Sequence, residues 1–424
     1  MRALAIRRGV TLIELLVTLA VASLVMVAIT NAFLAQTRQY QSLAGRREVN
    51  SGGRLGLKMI EENLRLAGFG VDPNLAIAAY DSWDPDANGG AGGLASDTSF
   101  PDAIVLHQRD PSFQRAITAA DSGTGTITFA AACPTCEAPL SEPLYRGQIL
   151  LALCSGAQRY AYVTVRDTVL AGPAATSVTL LADPEPSSSP IGLPESRFRD
   201  VPALADPCFN TGDARLVKIN RYAYFVAAFD EDGIDATPRM PFLMMHRGLD
   251  LNGDGTVDML DAVPIAAGVE QMQIAYVMNT RPGDPVSVLG VGLTPGDRVP
   301  PPDGASAWDQ PTTRPQFFDS YLNARRFTSN PANIRQVRVT LVIRSRRHNE
   351  AIGGEDMYTA ADTAWSMGTL TSGATVWRQL ENLVNPAREF NPSGRGYLRS
   401  VMRIAVSPKN LLMRSQFLPL NYGG

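Results

Sequence analysis

The sequence predicts an α+β fold in which a long N-terminal α-helix packs on a large antiparallel β-rich head with long loops. Three observations support this prediction. Residues 15–37 carry no charge and are mostly apolar, and residues 38–69 continue with apolar side chains at a helical period. Residues 70–424 then divide into short alternating segments between stretches rich in Gly, Pro, Asp and Ser. With 424 residues, of which 45% are hydrophobic, the chain can bury a sizeable core.

The first element is a helix of membrane length that follows a short basic leader. Three arginines lie in the leader, which ends at Gly9. The 23 residues at 15–37 span roughly 34 Å as a helix, which is enough to cross a bilayer. The leader arginines favour a cytoplasmic N-terminus, so we expect the rest of the chain to be exported. An ordinary secretory leader is cleaved after its apolar run. Because Gly9 precedes the run, the helix would survive processing.

Residues 9–15, which read Gly-Val-Thr-Leu-Ile-Glu-Leu, resemble the processing signature of type IV prepilins. The resemblance implies that a prepilin peptidase cuts between Gly9 and Val10 and methylates the new N-terminus. Val10 stands where the family usually has Phe. A pilin-like fold is implied as well. The implied segments are a leader at 1–9, a transmembrane and filament-core helix at 10–37, an amphipathic continuation at 38–69 and the head at 70–424.

Glu14 places a carboxylate near the start of the membrane-length helix. Such a group is costly in lipid and is usually functional. By the resemblance, Glu14 falls at the fifth mature position, where pilins carry a glutamate, and would pair with the N-terminal amine of an adjacent subunit. The alternative interpretation is an acid that reaches towards the membrane edge without a role in assembly.

The N-terminal helix is expected to run from about Thr11 to Ala67, in one or two pieces. The pair Gly52-Gly53 should weaken or kink it, because glycine costs about 1 kcal/mol relative to alanine inside a helix. Gly68 is a candidate C-cap. The second half is amphipathic and should lie against a sheet. Its apolar positions are Tyr40, Leu43, Leu55, Met59, Ile60, Leu64 and Leu66.

Period-two alternation predicts the strands of the head. The strongest candidate lies at 334–346, and 398–406 repeats its pattern of apolar residues alternating with arginine. We interpret both as half-buried antiparallel strands whose arginines lie on a solvated face, with a partner-binding face as the alternative. Residues 81–100 are predicted as a loop and 281–331 as a long insertion with a short helix near 317–325. Further strands are expected at 103–108, 126–131, 148–154, 160–166, 177–181, 215–229, 240–246 and 269–278.

Four later blocks resemble PilW-like minor pilins, at residues 54–69, 268–276, 337–346 and 397–401. The resemblance implies a minor pilin that helps initiate or cap type IV pilus assembly, in a system used for adhesion and twitching motility. The implied partners are the prepilin peptidase, other minor pilins, the major pilin and a tip adhesin. The implied location is the inner membrane of a Gram-negative bacterium with a periplasmic head, and then the pilus tip.

Two alternative functions stay open at the level of sequence. Minor pseudopilins of type II secretion systems share the same leader and helix, so the chain could belong to such a system. A tip-located receptor would instead use the head to bind a surface, a sugar or DNA. Loss of pili, loss of secretion and loss of adhesion or DNA uptake distinguish the three functions.

Residues 250–261 fit a twelve-residue calcium loop, because oxygen donors stand at all six ligand places. The seventh place would use its backbone carbonyl, and Gly255 stands at the sixth, where the chain must turn sharply. No helix is predicted before the loop, so we expect a structural calcium site without a full EF-hand. An acidic hairpin without a metal is the alternative. The donors are Asp250, Asn252, Asp254, Thr256, Asp258 and Asp261.

Four cysteines, Cys133, Cys136, Cys154 and Cys208, lie in the part expected to be exported. Thiols in that compartment tend to oxidise, and four cysteines allow three pairings. We favour disulfides Cys133–Cys136 and Cys154–Cys208. A zinc site and redox-active or free thiols remain the alternatives.

Charge and motifs argue against two other classes of function. The net charge of −3 becomes −6 once the three leader arginines are removed, which is unlike a nonspecific nucleic-acid binder, so no nucleic-acid partner is expected. The three histidines, His107, His246 and His348, have no nucleophile or metal-ligand spacing. No phosphate-binding loop, nucleophile elbow or zinc-protease motif is present, so we expect no enzymatic activity.

Overall fold

The computed structural model describes residues 11–80, 83, 101–129, 142–154, 159–170, 176–182, 190–194, 198–229, 240–278, 287–290, 334–346, 366–369, 375–377 and 399–414. Within these ranges the helices are α1 (Leu12–Leu66) and α2 (Lys409–Arg414). The strands are β1 (Ile77–Tyr80), β2 (Ala103–Asp121), β3 (Thr126–Phe129), β4 (Ile149–Cys154), β5 (Arg159–Thr164), β6 (Ser177–Thr179), β7 (Ala214–Phe229), β8 (Met240–His246), β9 (Val263–Ala267), β10 (Val269–Met278), β11 (Ser287–Gly290), β12 (Ile334–Arg344), β13 (Ser366–Thr369), β14 (Thr375–Trp377) and β15 (Arg399–Val406). The predicted α+β fold, a long N-terminal helix on an antiparallel β-rich head, is confirmed.

The bounds of α1 agree with the prediction to within a residue at each end. The Thr11 hydroxyl caps the N-terminus by accepting a hydrogen bond from the Glu14 amide at 3.3 Å. At the other end the chain turns through Gly68, whose φ of 79° is readily adopted by glycine. The Gly68 amide donates to the carbonyl of His107 on β2 at 3.0 Å. The helix end is therefore fixed to the head.

The glycines of α1 do not interrupt it, because the helix is continuous over 55 residues. They lie where α1 crosses the head. A Cβ added at Gly53 would be 2.5 Å from Ile343 Cδ1 on β12, and one at Gly56 would be 2.8 Å from Leu243 Cδ2 on β8. The expected weakening at these positions is thus offset by the close packing that a missing side chain permits.

Two antiparallel sheets share one core with the second half of α1. The N-terminal part of β2 and the C-terminal part of β7 pair with each other and continue through β1, β8 and β9. The second sheet has the order β11-β10-β12-β15. Asp102, just before β2, joins the two sheets: its amide donates to the Met272 carbonyl at 2.8 Å, and its Oδ2 accepts from the Ile274 amide at 2.7 Å. The shared core includes Val49, Leu57, Ile60, Leu64, Ile104, Leu106, Tyr224, Leu243, Met272, Val337, Val339 and Leu341.

The far halves of β2 and β7 form a small barrel with β3, β4, β5 and β6. The strand order is β5-β4-β7-β2-β3-β6. The barrel closes where Val165, just after β5, bridges Leu180, just after β6. Its interior is a second apolar cluster, covered at one end by two 3-10 turns, Pro202–Ala205 and Pro207–Asn210, which we call the plug. Leu204 and Phe209 of the plug are buried in that cluster.

A bulge in β2 marks the boundary between the barrel and the central sheet. Residues 110–113 lie between two paired stretches of β2, while β7 advances only from Val217 to Ile219. The Asp110 carboxylate bonds Lys218 Nζ at 2.8 Å, and both side chains are largely buried. The bulge turns Phe113 into the barrel interior. The strands β2 and β7 therefore contribute residues both to the core beside α1 and to the interior of the barrel.

Several sequence-based expectations need correction. β2 does not end at residue 108 but continues to Asp121, because the bulge allows the strand to resume. The solvated face expected for the arginines of β12 and β15 is wrong for Arg399, which is 2% exposed, and Thr340 between the arginines is fully buried. Arg403 is exposed as expected. The loop residues at 84–100 and the helix near 317–325 lie outside the described residues.

Candidate functional site

The first half of α1 is an apolar rod that projects from the head. Residues Leu12–Thr37 are long and apolar enough to cross a membrane, and none of them is buried by the rest of the chain. Because such a surface is unfavourable in water, it requires lipid or other apolar helices around it. Glu14 lies in the first turn and is exposed. Gly9 and Val10, the predicted processing site, lie outside the described residues.

Hydroxyl groups along the rod bond to its own backbone. Each hydroxyl donates to a carbonyl three or four residues earlier, at 2.8 to 2.9 Å, which leaves its proton satisfied in an apolar environment. The rod can therefore lie in lipid or among helices without exposing these donors. The residues concerned are Thr18, Ser23, Thr30 and Thr37.

A polar chain fixes the second half of α1 to the head. Asn63 donates to the Tyr224 hydroxyl at 2.6 Å and accepts from Gln108 Nε2 at 3.2 Å. Burial of the phenol raises the pKa of Tyr224, so it stays protonated. From α2, Asn410 donates to the carbonyl of Leu66 at 3.2 Å, which covers one of the last carbonyls of α1. The rod is thus the first half of one continuous helix, α1, whose second half is anchored to the head.

Gly268 and Glu270 form a junction between the two sheets. The Gly268 amide donates to Pro241 on β8 at 2.8 Å, and its carbonyl accepts from Arg344 on β12 at 2.7 Å. Gly268 has a φ of 79°, and a Cβ there would overlap the Arg344 carbonyl, so the position requires glycine. Two residues on, Glu270 makes a bidentate ion pair with Arg399 at 2.6 and 3.0 Å, and a third contact with Arg344 at 3.2 Å. Charges this deeply buried are held only with such complete pairing.

The acidic loop at 250–261 is held closed by two buried carboxylates. Asp250 accepts from the amides of Gly253 and Gly255 at 2.7 and 2.9 Å. Asp261 accepts from Leu251 at 2.7 Å and from Asn252 at 3.1 Å. These two aspartates are 4% and 3% exposed. The loop backbone is therefore ordered by its own aspartates.

The other predicted ligands of the loop form hydrogen bonds with one another and with the loop backbone. The Thr256 hydroxyl bonds Asp254 at 2.6 Å and Asp258 at 3.2 Å. Hydrogen bonds from the side chain and backbone of Thr256 lower the pKa of Asp254. In the part of the chain that the structure describes, which contains the entire loop, no three Asp, Glu, His or Cys side chains form a preformed metal-binding group. The donor chemistry fits a hard cation, but binding would require these side chains to exchange their hydrogen bonds within the loop for contacts with the ion.

Two contacts attach the loop to its surroundings. His246 donates from Nε2 to the Asp258 carbonyl at 2.8 Å and accepts at Nδ1 from the Gly248 amide at 2.9 Å, a tautomer inferred from these partners. Burial, with Arg221 nearby, lowers the pKa of His246 to about 3. The Asp250 amide donates to the carbonyl of Arg146, which precedes β4 of the barrel, at 3.1 Å. The loop thus lies between the barrel and the central sheet.

The structure brings together one of the two predicted cysteine pairs. Cys154 ends β4, and Cys208 lies in the plug; both are free thiols packed against the barrel core. Burial, then the neighbouring Cys154 thiol and Asp206, raises the pKa of Cys208 to about 12. Cys133 and Cys136 lie outside the described residues.

Comparison with known families agrees with this architecture. The model of the prokaryotic N-terminal methylation motif matches residues 5–30, which cover the leader and most of the apolar rod. The model of the type IV pilus-assembly protein W, PilW, matches residues 223–410. This chain is a PilW-like, type IV pilin-like protein. The searches of curated proteins and of solved structures give no match.

The PilW match coincides with the sheets beside α1 rather than with the barrel. It begins at residue 223, in β7, after the last barrel pairing at Ile219. It includes the junction at Gly268 and Glu270 and both arginines that pair with Glu270. In this minor pilin the PilW match therefore covers most of the two sheets that hold the helix, whereas the barrel strands β3, β4, β5 and β6 lie outside it.

Proposed function

We propose that this minor pilin helps initiate or cap type IV pilus assembly. It is inserted through the apolar half of α1, and its head contacts other minor pilins or a tip adhesin. The observation that supports the proposal is the continuity of α1: an unburied and mostly apolar stretch of 26 residues leads without a break into a half that packs in the core of the head. A rod of this kind transmits the position of the head to the filament core.

The processing scheme follows from the methylation motif. A prepilin peptidase would cut between Gly9 and Val10 while the rod lies in the inner membrane with the head on the periplasmic side. The new amine would then be available to pair with the Glu14 carboxylate of a neighbouring subunit. Both charges would leave water when the helices pack together. Each charge would then be costly to bury without the other, so the loss of either partner should destabilise the assembly.

The size of the head favours a position at the tip. The barrel extends the head beyond the sheets that contact α1, and a large head is accommodated most easily where no further subunit must stack above it. We propose a structural role and assign no reaction to the head. In keeping with this, both ring nitrogens of His246 are engaged by backbone groups, which leaves that residue with a packing role.

Substitution of Glu14 tests the assembly role. The Glu14→Ala variant should remain in the membrane fraction but fall by roughly tenfold or more in sheared pili, because breaking a desolvated ion pair is costly. Glu62→Ala is the matched control, since Glu62 is an exposed glutamate of the same helix that pairs with Lys58. Normal incorporation of Glu14→Ala would contradict the proposed pairing.

Deletion of the whole protein separates the candidate functions. Loss of surface pili supports initiation or capping. Normal pili with lost adhesion or DNA uptake would favour a receptor at the tip. A secretion defect with intact pili would favour a pseudopilin.

We also propose that the acidic loop binds Ca²⁺ as a structural ion through Asp250, Asn252, Asp254, Thr256, Asp258 and Asp261. Calcium would offset the repulsion among four aspartates within twelve residues. In the purified full chain in detergent, calcium should raise the melting temperature by roughly 5–10 °C at saturation. Asp254→Ala should abolish this shift, and Asp121→Ala, an exposed turn aspartate on the barrel, should retain it. Identical melting curves in calcium and chelator would contradict the proposal.

A further inference from the structure

The plug is fastened to the barrel wall through β2 and β5, and its third neighbour in the wall is β4. Asn210 clamps β2, accepting from the Ala120 amide at 2.7 Å and donating to its carbonyl at 3.1 Å. Asp206 pairs with Arg159 of β5 at 3.4 Å and also caps the second turn of the plug by accepting from the Cys208 amide at 3.0 Å. On the remaining side, towards β4, the neighbour of Cys208 is the thiol of Cys154.

We propose that Cys154 and Cys208 form a disulfide in the mature protein, which covalently fastens the plug to β4. Both side chains pack against the barrel core, where the plug contacts β4, and Cys154 is in register with Ala214 at the start of β7. The cap from Asp206 and the clamp from Asn210 position the Cys208 backbone before any bond forms. The inference rests on the proposed function, because it requires the head to be exported to an oxidising compartment.

The reaction needs an oxidant, which we identify as a protein disulfide donor of the cell envelope. One cysteine, as its thiolate, attacks the donor disulfide and forms a mixed disulfide. The second thiolate then attacks the protein sulfur and releases the donor as a dithiol. Two protons leave the cysteines, and two electrons pass to the donor. Because the half-buried Cys208 thiol ionises poorly beside Cys154 and Asp206, the bond should form while the plug is closing.

A peptide map identifies the pairing without any substitution. Cells making the full chain are treated with iodoacetamide before lysis, and the protein is digested with trypsin without reduction. Cys154 then lies in peptide 147–159, Cys208 in 200–215, and both other cysteines in 116–146. The proposal predicts that 147–159 and 200–215 are linked to each other alone. A product that joins all three peptides, or alkylated Cys154 and Cys208, would overturn it.

Two double variants test the effect on the barrel. Cys154→Ser with Cys208→Ser should lower the melting temperature by roughly 5–15 °C and remove its sensitivity to reductant. Cys133→Ser with Cys136→Ser should keep that sensitivity, as the matched control. Equal sensitivity to reductant in the wild type and the first variant would overturn the proposal.

Protease added to spheroplasts separates failure of this inference from failure of the proposed function. Digestion of the head confirms export, so free thiols in that case refute the disulfide alone. Protection of the head refutes the proposed location. The purified chain is then treated with oxidised glutathione, and the same peptide map decides whether Cys154 and Cys208 pair.

Discussion

Asp110 shows how one buried carboxylate can make the stability of the head depend on pH. Burial by itself would raise its pKa, but hydrogen bonds from Lys218 and Ser112 outweigh that effect and lower it to about 2. A carboxylate with a lowered folded pKa stabilises the protein above its ordinary value of 3.8. This contribution, about 1–2 kcal/mol, is lost as the pH falls from about 4 to 2.

Asp110→Asn should therefore reduce the free energy of unfolding by about 1–2 kcal/mol at pH 5 and by about a third of that amount at pH 2.5. The variant should still fold, because Lys218 keeps Glu142 as a partner at 3.3 Å and Asn can still accept from Ser112. Chemical denaturation of both proteins across this range measures the difference. A difference that does not change with pH would show that Asp110 is not the titrating group.

At the scale of the element, the effect of a glycine substitution in α1 on stability depends on how closely that glycine packs against the head. A Cβ at Gly52 would lie 3.6 Å from the Ala267 carbonyl oxygen, an ordinary contact. At Gly53 it would lie 2.5 Å from Ile343 Cδ1 and 2.6 Å from Met402 Sδ. Two adjacent positions thus share the same helix propensity but differ in packing.

Gly52→Ala should stabilise the protein by up to about 1 kcal/mol through helix propensity. Gly53→Ala gains the same helix propensity, but overpacking against β12 and β15 costs about 1–3 kcal/mol. Its free energy of unfolding should therefore be lower than that of Gly52→Ala by about 1–3 kcal/mol. Guanidinium denaturation of the two variants gives the comparison directly. Equal stabilities would mean that α1 does not approach β12 and β15 as closely as described.

Residues near the ends of an element predicted its bounds well, whereas features that depend on residues far away in the chain could not be read from the sequence. The bounds of α1 follow from Thr11 and Gly68, which act within a turn of the helix ends. β2 looked finished at residue 108 because Pro111 and its neighbours resemble a turn, and its continuation depends on Lys218, far along the chain. The arginines of the second sheet were predicted to be solvated for the same reason. The buried Arg399 pairs with Glu270, which lies 129 residues away in the chain.

The candidate sites divide in the same way. The prepilin signature and the acidic loop are contiguous, so their residues were identifiable from spacing. The approach of Cys154 to Cys208 depends on tertiary packing, because it requires the plug to lie against β4, 54 residues earlier in the chain. The cysteine count alone left three pairings open. Neither the barrel nor the plug has a contiguous motif, so the sequence carried no signal for them.

At the scale of the whole molecule, α1 belongs half to the filament and half to the head, and truncation should separate the two roles. Removing residues 1–37 should leave a soluble folded head, because the rod makes no buried contact. Removing residues 1–67 also deletes Val49, Leu57, Ile60 and Leu64, which are 0–6% exposed.

Each of those four side chains contributes about 1.5–3 kcal/mol by burial, or roughly 6–12 kcal/mol together. That sum is comparable with the entire stability of a typical domain, about 5–15 kcal/mol. The shorter protein should therefore aggregate or lose its cooperative melting transition, as measured by size-exclusion chromatography and circular dichroism without detergent. A monomeric shorter form that melts at the same temperature as the longer one would mean that α1 contributes nothing to the head, and that the rod is not mechanically coupled to it.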